Sequence, residues 1–171
     1  MLSKKIQDAL NLQISEEAYA SHYYLSMASW LETSGLPGSA KFLYWNATQE
    51  QEHLMKLFHY VNEAGGHALV GAVKEPPQKF KSILDVFELV VEHERYVTKT
   101  ISNPVDQCMQ EKDYSTFNFL QWYVAEQHEE ERKLKLVLDL IKLTGIEGRG
   151  LFLVDKEIGK MVDPQQAKKS S

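Results

Sequence analysis

The chain has 171 residues, 43% of them hydrophobic and 25% charged, with a net charge of −5. That composition supports a buried core, excludes a disordered chain and gives no general attraction to nucleic acid. Its single cysteine, Cys108, excludes an internal disulfide and a paired-cysteine iron site.

No stretch approaches the ~18 apolar residues of a membrane span. The start, MLSKKIQDAL, has no signal-peptide core, so a cytoplasmic protein with no membrane partner is expected. Only 14 residues are Gly or Pro, and they are clustered. Positions 1–34, 39–64, 78–103 and 105–144 contain neither. Sandwiches and barrels need turn residues every ~8–12 positions, so these gaps point to four long helices in one domain, 1–171.

In chain order, helix 1 is expected over about 3–33, with a seam of Leu10, Ile14, Glu17, Ser21, Tyr24, Ala28 and Leu31 at alternating 4-3 spacing. The turn Gly35-Leu36-Pro37-Gly38 leads to helix 2, about 38–65, whose seam is Leu43, Ala47, Glu50, Leu54, Leu57 and Val61. An irregular link, 66–81, follows. At up to ~3.3 Å per residue it spans ~50 Å, enough to run the length of a helix and leave helices 2 and 3 parallel. Helix 3, about 82–111, carries Ile83, Phe87, Val90, Glu94, Val97 and Ile101. Pro104 inside it removes a backbone hydrogen bond at a cost of ~3 kcal/mol, so a kink or break is expected near that residue. Helix 4, about 114–144, is expected to face inward with Phe117, Leu120, Val124, Gln127, Glu131, Leu134, Leu138 and Ile141. A short fifth helix, about 150–160, and a tail, 161–171, end the chain. The fold class is all-α, a four-helix bundle with one long crossover.

Each seam carries a polar residue near its middle: Glu17, Glu50, Glu94 and Gln127. Three positions on, His53 shares a face with Glu50, and Glu130 with Gln127. Burying an unpaired carboxylate costs several kcal/mol, so such groups stay inside when paired or bound to a cation. The spacings repeat with an offset of 77, which relates Glu17 to Glu94, Glu50 to Gln127 and His53 to Glu130. The same offset relates Tyr19 to Tyr96, Phe42-Leu43 to Phe119-Leu120, Trp45 to Trp122, Glu52 to Glu129 and Leu57 to Leu134. A duplicated hairpin of this kind brings all six polar residues to one level. Five oxygen donors and one imidazole suit two adjacent iron ions.

These residues resemble those of the bacterial non-haem ferritins, with the likeness running from about residue 2 to 160. The run from Tyr114 to Glu131, YSTFNFLQWYVAEQHEEE, is similar to that family's fourth-helix signature, and Glu17, Tyr24, Glu50-x-x-His53 and His93-Glu94 match its ferroxidase centre. The resemblance implies that Glu17, Glu50 and His53 hold one iron and that Glu50 and Glu94 hold a second beside Gln127 and Glu130. It also implies Fe(II) oxidation by O2 or H2O2 and storage of a ferric oxyhydroxide mineral inside a shell of 24 copies. Tyr24, seven residues and two seam steps beyond Glu17, is placed to hydrogen-bond a ligand or donate an electron. Many relatives have a third iron site, which would here use Gln49, Glu126, Glu129 and Glu130; an amide at 49 brings no charge, so a weaker site is expected. A bacterioferritin would repeat Glu-x-x-His in helix 4 and carry a haem-ligating Met at the position of Glu52, so a haem-free protein is expected. The remaining alternative of this fold is a di-iron oxidase or peroxidase that stores no mineral.

Overall fold

The computed structural model describes residues 2–162. Most of the tail expected over 161–171 lies outside the described residues. Five helices follow in order: α1 (Lys4–Thr33), α2 (Pro37–Glu63), α3 (Ile83–Glu111), α4 (Tyr114–Thr144) and α5 (Gly148–Lys160).

Short polar side chains start three of them. Ser3 Oγ accepts from Ile6 N, Ser82 Oγ from Asp85 N and Asp113 Oδ1 from Thr116 N, each satisfying an amide that has no partner within its own helix. Helix α2 has no such side chain at its own N-cap and begins with Pro37 instead. Its free amides are capped from a distance: Gly38 N and Ser39 N donate to the two carboxylate oxygens of Asp155 on α5, at 3.0 and 2.7 Å. The anion also complements the positive end of α2.

The link between α2 and α3 is pinned along α1 in ascending order. His67 N donates to Gln7 Oε1, Leu69 N to Asn11 Oδ1 and Ser26 Oγ to Pro77 O, while the Phe80 ring packs edge-on against Trp30. The crossover therefore climbs α1 from one end to the other, and α3 descends parallel to α2.

Two apolar clusters fill the bundle. One contains Met27, Leu31, Phe42, Phe87, Val137 and Ile141 and includes Val154 and Ile158 of α5. The other contains Leu10, Ile14, Leu57, Val97, Leu120 and Tyr123.

Two expectations change. The break at Pro104 does not occur, because the backbone stays helical from Ile83 to Glu111. Ile101, Pro104 and Cys108 are all buried, so the proline ring continues the apolar seam and packing offsets the missing hydrogen bond. The inward face of α4 is Thr116, Leu120, Tyr123, Gln127, Glu130, Leu134, Val137 and Ile141. Val124 is exposed, and Phe117, Glu131 and Leu138 lie at the margin. Leu54 of α2 is likewise only half-buried.

Candidate metal centre

The six polar residues singled out by the sequence are all buried: Glu17 is 0% exposed and the other five no more than 6%. On their helices they lie between the residues that build the two apolar clusters. Glu17, Glu50 and His53 each offer one ligand atom within 4.8 Å of the others. His53 Nδ1 stands 3.2 Å from Glu50 Oε2 and 3.5 Å from Glu17 Oε2. On the opposite side, Glu94 accepts from the Tyr24 hydroxyl through Oε1 and from Gln127 Nε2 through Oε2, the latter at 2.9 Å. Glu130 accepts from Lys133 Nζ at 3.2 Å.

Burial, then the Glu17 charge, pushes Glu50 up to about 8. Burial, then the Glu50 charge, pushes Glu94 to about 8 as well. Burial also raises Glu130, against the pull of Lys133. For His53, burial acts downward, but the hydrogen bonds and charges of Glu17 and Glu50 outweigh it and carry the imidazole up to about 11. The cluster thus draws in positive charge, and the His53 proton supplies part of it. A divalent cation would supply more. Glu17 Oε2 is buried, and His53 Nδ1 at 3.5 Å approaches it without making a well-formed hydrogen bond, so a cation would satisfy this oxygen better than the imidazole does.

A pH dependence follows. The unfolded chain releases carboxyl protons near 4.5 and the folded one holds those of Glu50 and Glu94 to about 8, so the folded state binds more protons between these values. Stability then falls as pH rises through that window. His53 acts in the same direction, its contribution being complete below 6.5 and lost as pH passes about 11. Thermal melts of metal-free protein are expected to give a lower Tm at pH 8 than at pH 5.5. Zn(II), a redox-inert probe, is expected to restore the loss and to release protons into weakly buffered solution. A Tm that is flat or rises across this range would contradict the assignment.

The third set adjoins the centre through His53, which lines the same cavity. Gln49, Glu126 and Glu129 line a cavity of about 390 Å³ between α2 and α4, with Trp45, Trp122 and Lys56 also on its wall. Two of the acids proposed for it are engaged, Glu129 with Arg132 at 3.0 Å and Glu130 with Lys133 at 3.2 Å, while Gln49 Nε2 donates to Glu52. The cavity displays the internal repeat directly. Lys56 Nζ sits 3.7 Å from the centre of the Trp122 ring and Lys133 Nζ 5.1 Å from that of Trp45, two crossed pairs related by the 77-residue offset.

Several partners of the centre escaped the sequence reading. Gln13 Nε2 donates to Glu17 Oε1 at 3.2 Å and to the Tyr123 hydroxyl at 2.6 Å, so one amide ties the ligand on α1 to α4. Thr98 Oγ1 accepts from Gln127 and donates to Glu131. Gln13 precedes Glu17, and Tyr123 precedes Gln127, by four residues on the same helical face, which was the available signal. His93, beside Glu94, is half-buried among tyrosines, and desolvation lowers it to about 4, so it is neutral.

A sequence-family model for the ferritin-like domain matches residues 7–144. A bacterial non-heme ferritin of Campylobacter jejuni is 50% identical over 158 residues, 92% of this chain and 95% of that protein. A probable bacterial non-heme ferritin-like protein of Haemophilus influenzae is 45% identical over 161 residues, 94% of this chain and 98% of its own. Among solved structures, an open-pore ferritin of Archaeoglobus fulgidus superposes with a TM-score of 0.90 at 45% identity, covering 93% of this chain and 98% of that one.

Proposed function

The chain belongs to the ferritin-like family, and on that premise we propose that it oxidises Fe(II) at the buried centre and stores the product as ferric oxyhydroxide inside a shell of 24 copies. The observation that supports this most is the single level of six buried ligand-type side chains, one or two from each of α1–α4, with a carboxylate oxygen among them, Glu17 Oε2, that receives no well-formed hydrogen bond.

Iron is the substrate here. Glu17, Glu50 and His53 take one Fe(II), and Glu50 with Glu94 takes the second, assisted by Gln127 and Glu130. His53 gives up its proton to bind, as do the protonated fractions of Glu50 and Glu94. Two Fe(II) ions held together deliver two electrons to O2, and with two protons the products are two Fe(III) and H2O2. Peroxide serves as oxidant in the same way and is reduced to water. Hard carboxylate donors favour the Fe(III) product. Tyr24 holds one Glu94 oxygen and Gln127 the other, so the orientation of this carboxylate is fixed before iron arrives. Gln13 and Tyr123 do the same for Glu17. The cytoplasm is the proposed location and no haem is needed by this scheme. Leu143, Phe152 and Leu153, 87%, 68% and 51% exposed at the α4–α5 end, supply an apolar surface that neighbouring copies would cover. Anaerobic titration with Fe(II) followed by air tests the scheme: two fast-oxidising ions per chain are expected, and none above the solution rate would refute it.

The third site is proposed to bind weakly, since Gln49 is uncharged and Arg132 and Lys133 neutralise Glu129 and Glu130. Gln49→Glu is expected to tighten binding of a third ion per chain by about tenfold, the effect of roughly 1.4 kcal/mol. Equal occupancy in the two proteins would refute this.

A further inference from the structure

An unbroken patch of aromatic rings leads away from the centre on the α1–α3 side. The Tyr24 ring lies 6.0 Å from His93 and 6.3 Å from Tyr23, centre to centre. Tyr23 lies 5.6 Å from Tyr19 and 5.8 Å from His93. His93 lies 5.6 Å from Tyr19 and 6.2 Å from Tyr96. Tyr24 is 1% exposed and Tyr96 is 47% exposed, so the patch joins the interior to the surface in two ring-to-ring steps, Tyr24 to His93 to Tyr96.

Its two ends share a feature that its middle lacks. Tyr24 donates its hydroxyl proton to Glu94, and Tyr96 donates to Glu16 Oε1 at 3.1 Å. A phenol loses an electron readily only if its proton has somewhere to go, and each end has a carboxylate acceptor. Tyr96 also lines a surface cavity of about 640 Å³ with Arg95, Lys99 and Lys142, alongside Glu88 and Glu92. None of the three cations is ion-paired among the described residues.

We propose that Tyr96 is the outer terminus of a relay that carries an oxidising equivalent from Tyr24, past His93, to a small anionic one-electron reductant held beside Arg95, Lys99 and Lys142. The inference rests on the proposed Fe(II) oxidation and addresses the case that chemistry leaves open, a centre holding one Fe(II) when peroxide arrives. Reduction of H2O2 to two waters takes two electrons; Fe(II) supplies one and Tyr24 the other. The Tyr24 hydroxyl proton and one further proton complete the two waters, leaving Fe(III) and a neutral Tyr24 phenoxyl radical. Tyr96 then re-reduces Tyr24, its own proton passing to Glu16 while Tyr24 regains one through Glu94. A reductant such as ascorbate returns one electron to Tyr96 while Glu16 returns the proton, and the reductant leaves as its own radical, its released proton going to solvent. The oxidising equivalent is thereby discharged outside the core.

The test uses the assembled protein loaded with one Fe(II) per chain, mixed with H2O2 and freeze-quenched for electron paramagnetic resonance with and without ascorbate. Tyr44→Phe is the control, because Tyr44 is also a half-exposed phenol on a carboxylate, Glu32 at 2.7 Å, yet it makes none of the ring contacts of the patch. In the unmodified protein and in Tyr44→Phe, ascorbate is expected to accelerate radical decay up to a plateau. Tyr96→Phe is expected to lose that acceleration while oxidising Fe(II) at an unchanged initial rate, and Tyr24→Phe to form no such radical. Decay in Tyr96→Phe that responds to ascorbate like the control would overturn the relay while leaving Fe(II) oxidation standing. An unmodified protein that oxidises no Fe(II) would overturn the parent reading, and the relay with it.

Discussion

Glu50→Gln is expected to slow Fe(II) oxidation by at least about 100-fold, more than the 10–100-fold typical when only an outer partner of a metal ligand is lost. The side chain keeps its shape but loses the charge that would be shared by both ions. The same substitution is expected to stabilise the metal-free protein. Glu50 is pushed up to about 8 first by burial and then by Glu17, so its ionised form is a burden on the folded state at neutral pH. Removing one member of a buried ion pair is costly when it strands the other charge, whereas relieving an excess of buried charge that leaves the rest paired is neutral or stabilising. His53 keeps Glu17 as its partner at 3.5 Å. The paired result, a higher Tm with lost oxidation, distinguishes a functional carboxylate from a structural one. Thermal melts and stopped-flow oxidation of the same preparation check it; a lower Tm with normal oxidation would reverse the assignment.

The second large effect falls far from the centre. Gly38→Ala would place a Cβ 2.1 Å from the backbone oxygen of Asp155, and a Cβ on Gly159 would sit 2.9 Å from Gly38 Cα, so the two helices touch through a pair of glycines. No rotamer relieves a clash with backbone, and α5 must lift away. With it go the Asp155 cap on Gly38 and Ser39 and the burial of Val154 and Ile158. A lost cap costs about 0.5–2 kcal/mol and each buried aliphatic side chain about 1.5–3 kcal/mol, so the docking of α5 is expected to weaken by roughly 5 kcal/mol. Amide hydrogen exchange should then show lost protection across 148–160 with α1–α4 retained. Protection of α5 equal to that of the unmodified chain would contradict the contact.

Much of this was legible in the sequence because burial of a carboxylate is rare and its pattern is periodic. Glu17, Glu50, Glu94 and Gln127 were visible as polar residues on apolar seams, and the 77-residue offset tied them to His53 and Glu130. The structure buries all six. The crossover's length along α1 followed from residue count alone. What did not show was chemistry that crosses between helices. Asp155 carries no local signal of its role, because the amides it caps, Gly38 and Ser39, lie on another helix. The seam expected for α4 ran through Val124, yet it is Tyr123 that is buried, with Gln13 to satisfy its hydroxyl. At Pro104 the local rule allowed a break, and that break does not occur. Its ring lies on the buried face between Ile101 and Cys108, and the helix runs through it.

The most direct test of the account is the native mass of the protein before and after aerobic loading with Fe(II). Twenty-four chains of 19.7 kDa give a shell of about 470 kDa. The account predicts that mass, and a further gain as iron enters in excess of the ions held at each centre and stays soluble as Fe(III). A monomer or dimer, or a shell from which oxidised iron precipitates outside, would contradict it.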